Sequence, residues 1–258
     1  MSVDELRVAM AAAFALFLLL LRLDAQHLGA AEYDELDEHG HRPPFRRRLA
    51  WYAVGIGLVA LTYLVHPDPE RVLHLRLGTD RLQALTYGLA FGALGIVQAI
   101  VFAWLRYGHA LAEHGLPLGR VLPPVRAYPG AILNAVGTAL VDEGAFRGVL
   151  LGMLVATALP GDQASLIQGL VYVLATRVAA PGRDRYTLVL TLVLGLGAGW
   201  VTLETGGIGA AVIGHAVTRL AMFAMTGHAG MVAAKGHDPV EVAVERLPPR
   251  GWEVVEEE

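Results

Sequence analysis

The segment Val141-Asp142-Glu143-Gly144-Ala145-Phe146-Arg147-Gly148 sets two adjacent carboxylates and a guanidinium inside an otherwise apolar run. Carboxylates of this kind can take a proton from water, and an arginine can steady developing negative charge. On a helix, Glu143 and Arg147 are four residues apart, on one face and in the favourable acid-first order. Taken alone, that pair reads as a structural ion pair. Asp142 lies about 100° round the helix and must face something else. A second apolar run carries His215 and Arg219, again four residues apart. An imidazole moves protons near neutral pH, whereas an arginine stays cationic. Of 24 acidic residues, only Asp142 and Glu143 fall within the middle of an apolar stretch. At mid-bilayer such a group costs at least about 2.5–3.5 kcal/mol, so it faces the bundle interior and has a partner. The two pairs are therefore expected to meet in one internal polar site. Arg177, near the end of its apolar stretch, can snorkel to the interface.

The elements that must position these residues follow from composition. The chain has 258 residues, 55% of them hydrophobic and 17% charged, whereas soluble domains carry about 25% charged residues. Seven apolar stretches run over Leu6–Leu23, Leu49–Val65, Leu82–Leu105, Pro129–Leu159, Ala164–Ala180, Tyr186–Leu203 and Gly207–Met225. Each approaches the roughly 20 residues that cross a bilayer as helix. Strands would need alternating segments of about ten residues, and these runs are continuously apolar. The expected fold is all-α, a polytopic transmembrane helical bundle of about seven spans. Its parts are residues 1–128 with spans one to three, a four-span core over 129–225, and an acidic tail over 226–258. The first stretch reads as a retained anchor, because acidic residues flank it and no A-x-A cleavage site follows.

Orientation follows from the basic residues of the short loops. Arg42, Arg46, Arg47, Arg48, Arg106, Arg120, Arg126, Arg183 and Arg185 lie on one side with Lys235, Arg246 and Arg250 of the tail; Arg7, Arg71, Arg76 and Arg81 lie on the other. This puts the tail in the cytoplasm of what reads as a bacterial inner membrane. The basic end of Asp24–Arg48 serves as an anchor touching anionic lipid, and the acidic tail reads as solvated chain, with docking to a soluble partner as the alternative. With no cysteine, disulfides, thiol catalysis and Cys-ligated zinc are excluded; a net charge of −4 argues against nucleic acid.

Thr138–Leu150, containing Asp142, Glu143, Arg147 and Gly148, resembles the first motif, Glu-Glu-x-x-x-Arg, of the CPBP family of CAAX prenyl protease and bacteriocin-processing (Abi) membrane proteins. Ala164–Thr176 resembles the second, an aromatic (Tyr172) followed four residues later by His. Gly197-Ala198-Gly199-Trp200, the Thr205-Gly206 turn and then His215 resemble the third, which ends His-x-x-x-Asn. The resemblance implies an intramembrane endopeptidase in which glutamate, histidine and asparagine side chains activate water and steady an oxyanion. Asp142 then stands for the first Glu, Glu143 for the second and Arg147 for the Arg. Thr176 replaces the second-motif His, His215 is retained, and Arg219 replaces the Asn.

These replacements bear on the chemistry. Aspartate withdraws its carboxylate by about one methylene, and a shift near 1 Å can cost about 10²-fold. Threonine is no general acid or base near neutral pH. Arg219 adds a fixed cation, so that Asp142, Glu143, Arg147 and Arg219 sum to zero; if Arg219 reaches Asp142, the site is a closed ion-pair network. Two functions stand side by side: a binding, scaffolding or membrane-complex subunit on a degenerate peptidase bundle, or an active endopeptidase. In the active form Glu143 or Asp142 is the base, His215 assists and Arg219 steadies the oxyanion. Partners in either case are lipids and a membrane-associated protein or peptide. A transporter is disfavoured because no inverted repeat is visible. No cofactor or metal is expected: one motif His remains beside an Arg, and His39, His41, His109 and His114 lack H-E-x-x-H spacing. Gly55, Gly57, Gly195, Gly197 and Gly199 read as helix-packing positions.

Overall fold

A computed structural model describes residues 2–23, 45–114, 125, 128–179 and 185–226. Among them the secondary structure is helical: α1 (Val3–Leu23), α2 (Phe45–Val65), α3 (Pro69–Val72), α4 (Arg81–His114), α5 (Tyr128–Glu143), α6 (Leu151–Ala156), α7 (Gly161–Ala179), α8 (Arg185–Thr205) and α9 (Gly209–Thr226). A π-helical segment, Gly144–Leu150, joins α5 to α6. Each of the seven apolar stretches is thus helical over most of its described residues. Among the described residues four helical stretches, Val3–Leu23, Arg46–Val65, Arg81–Val101 and Leu188–Thr205, are long and apolar enough to cross a membrane, and Gly209–Ala224 is a shorter apolar helix. The run around Asp142, Glu143 and Arg147 carries charge that only a protein interior can accommodate.

Burial is inverted relative to a soluble domain. Leu64, Leu94, Leu174 and Trp200 are exposed on the outside, while Arg22, Asp142, Glu143, Arg147 and Arg219 are buried. That distribution suits a bundle whose outer solvent is hydrocarbon, where apolar side chains lose nothing by facing out. The protein is a helical integral membrane protein.

Helix α4 lies closely against α9. Gly88, Gly92 and Gly95 recur on one α4 face against Ile213, Val217 and Thr218, and a Cβ at Gly95 would collide with Thr218. Small residues let two backbones approach where no hydrophobic effect drives association. Gly55 against Val141, Gly197 against Phe91 and Gly199 against Ser165 act alike; Gly57 meets nothing and is no packing position.

The connection after α3 is folded back onto the core. The His74 backbone donates to the Gly148 carbonyl (3.0 Å) and accepts from Ile208 N–H (3.0 Å), and Thr79 N–H donates to the Thr205 carbonyl (2.9 Å). Gly206 closes the turn between α8 and α9 at φ 69°, left-handed backbone that glycine adopts without strain. One short loop thereby ties the end of the π segment to the start of α9.

Candidate active site

The π segment begins one residue after Glu143 and contains Arg147. Such wider turns recur at functional sites; here the glycines that flank Arg147 let α2 and the loop after α3 come close, Gly144 against Val59 and Gly148 against Leu75. Phe146 stacks edge-on with Tyr172 at 4.9 Å between ring centroids, which holds the segment against α7.

Glu143 is buried and doubly held. Its Oε1 lies 2.6 Å from Nδ1 of His215, and its Oε2 lies 3.2 Å from Nε of Arg147. Arg147 is fixed in turn: Nη2 donates to the Gly195 carbonyl (3.2 Å), and the guanidinium sits 4.4 Å above the Tyr172 ring, a cation–π contact. The Gln168 side chain donates to the same carbonyl at 3.0 Å, so α7 and α8 both steady the arginine.

Asp142 faces a different partner from the one expected. Its Oδ1 lies 3.2 Å from Nε of Arg22 on α1, and the Tyr172 hydroxyl donates to its Oδ2 at 3.2 Å. Arg219 does not close the network on Asp142; its Nη2 donates to Oδ1 of Asn134 at 2.8 Å. Asn134 in turn donates to the Tyr52 hydroxyl at 3.1 Å. The expected cancellation of four charges is therefore overturned. Arg22 joins the cluster, and three guanidiniums face two carboxylates. The sequence signal for Arg22 was a lone arginine closing an otherwise apolar run, a position that normally snorkels outward. Here the side chain turns inward because Asp142 offers a charge where lipid offers none.

A chamber of about 60 Å³ opens beside these groups, and its wall includes Arg22, Glu143, Arg147, His215 and Arg219. Asp142 and Thr176 are not among its lining residues. Thr176, one turn beyond Tyr172, is buried with its hydroxyl unpartnered. The structure thus brings Glu143, Arg147, His215 and Arg219 to one chamber and turns Asp142 away from it. Among the described residues no three His, Asp or Glu side chains come together as a ligand set. His39 and His41, the tail and the loops that carry most of the orientation signal lie outside the described residues, as do the side chains of Arg177, His109 and His114.

Fold and site together define a membrane-embedded helical protein with an acid–imidazole pair in an internal chamber. Residues 124–221 match the family model described as Rce1-like, type II CAAX prenyl endopeptidase Rce1-like, so this segment is similar to the CAAX-protease-like membrane proteins. Comparison with curated proteins and with solved structures finds no match.

Proposed function

We propose that this CAAX-protease-like membrane protein uses its chamber to bind a membrane-associated protein or peptide without hydrolysing it, as a scaffold or complex subunit in a bacterial inner membrane with its tail on the cytoplasmic side. The observation that carries this reading is the 3.2 Å approach of Arg22 to Asp142. Activating water requires a carboxylate that the water can approach, and both Asp142 oxygens are already engaged. Asp142 has Arg22 and Tyr172 as partners and does not line the chamber. Thr176 supplies no proton relay at the position where the family motif carries histidine.

A second reading has one observation in its favour. Glu143 and His215 meet at 2.6 Å on the chamber wall, as a base and its proton carrier would. In that form Arg219 takes the place of an asparagine as the oxyanion donor. The two readings separate in vesicles that contain the purified protein and a membrane-anchored reporter. Binding without hydrolysis gives no cleavage above that of Glu143→Gln and His215→Ala. Cleavage by the unaltered protein that both substitutions abolish establishes the peptidase instead.

A further inference from the structure

The chamber carries a charge imbalance that its own side chains leave uncorrected. Among the described residues Arg22, Arg147 and Arg219 face Asp142 and Glu143, an excess of one positive charge before His215 is counted. The first two guanidiniums each have a carboxylate at 3.2 Å. Arg219 has a neutral amide instead, that of Asn134. It is 7% exposed, lines the chamber, and its Nε has no hydrogen-bond partner. Among the described residues no carboxylate reaches Arg219 at ion-pair distance; a buried cation so placed is costly in a low-dielectric interior, and the open space beside it can take an anion.

The space does not end at the polar groups. A second cavity of about 460 Å³ lies between α4 and α8, and Phe91, Gln98 and Leu194 line both. Its further wall is apolar, with Leu94 and Trp200, both exposed on the outer, lipid-facing surface. A cationic end that continues into an apolar groove open to hydrocarbon fits an amphiphile entering sideways from the bilayer. The headgroup must be small. One water takes about 10–15 Å³ by this measure, so the 60 Å³ chamber suits a carboxylate better than a glycerophosphate.

We propose that the chamber binds a long-chain carboxylate of fatty-acid type, with its carboxylate on Arg219 and its chain in the groove between α4 and α8. This rests on the non-hydrolytic reading above and goes beyond it, adding a lipid carboxylate as an occupant of the chamber distinct from the protein or peptide. The experiment uses the full chain in neutral detergent, with thermal unfolding and native mass spectrometry read against palmitate, hexadecanol, acetate and hexadecyl phosphate. Palmitate is expected to bind and raise Tm, while hexadecanol and acetate, which lack the charge or the chain, fall short by about tenfold or more in affinity. Arg219→Gln is expected to weaken palmitate by a similar factor without changing the response to hexadecanol. Equal response to palmitate and hexadecanol in the unaltered protein overturns the proposal, and that comparison needs no variant to fold. A preference for hexadecyl phosphate over palmitate overturns the carboxylate assignment. Neither failure produces reporter cleavage, so the non-hydrolytic reading stands or falls separately.

Discussion

Asp142 and Glu143 are neighbours in the chain and have opposite surroundings. Asp142 points to α1 and α7, where Arg22 and Tyr172 take its two oxygens and the side chain is 0% exposed. Glu143 points to α9 and the π segment, where His215 and Arg147 hold it on the wall of a chamber. One residue of helical rotation separates a sealed ion pair from an acid that a ligand can approach. Adjacent carboxylates in a membrane helix therefore need not form one catalytic unit, because each answers to whichever neighbouring helix its rotation presents.

Breaking the sealed half should have the largest effect. Arg22→Met leaves Asp142 as an unpaired buried charge, so a stability loss of about 3–5 kcal/mol is expected, read as a lower unfolding midpoint in detergent. Combining it with Asp142→Leu should recover much of that loss, since removing both charges of a buried pair is often close to neutral. If the double variant is as unstable as the single, the two side chains do not act as a pair.

The open half should respond less. Arg219→Ala removes a cation that has only an amide partner, leaves Asn134 with one bond fewer, and relieves the excess positive charge; a change of about 1 kcal/mol is expected. A midpoint shift as large as that of Arg22→Met would mean that Arg219 supports the fold through a carboxylate after all.

The smallest effect concerns the loop that links the π segment to α9. Burial, and then the nearby Arg76 charge, lowers the His74 pKa below its ordinary value. The unfolded chain consequently binds a proton there more readily than the folded one. Stability from this group is complete above the unfolded pKa of about 6.5 and is lost as pH falls from there towards the folded value. His74→Gln should flatten that part of the pH–stability profile below about pH 6.5, measured by thermal unfolding. An unchanged slope would remove His74 as its source.

Much of this was readable before any coordinates. Continuous apolar runs near bilayer length produced the helices, because a backbone in hydrocarbon must satisfy its hydrogen bonds internally. The i, i+4 spacing of Glu143 and Arg147 and the mid-span position of His215 pointed to a common interior, and these three do meet. Local spacing carried no information about the π segment, since Gly144 and Gly148 permit the wider turn without dictating it. Nor did it reveal the folded-back loop at His74 or the role of Asn134, a neutral residue with no mid-membrane charge to draw notice.

The amino-acid order alone determined that this chain lives in a bilayer as helices and that its few intramembrane charges must turn inward, since hydration and burial act on each segment separately. Which cation answers which acid was decided only in three dimensions. Arg22 lies 120 residues before Asp142, and Arg219 four residues after His215, yet it is the distant arginine that reaches the aspartate. Coulomb attraction falls with distance through space, not along the chain, and the packing of α1 against α7 and the π segment set those distances.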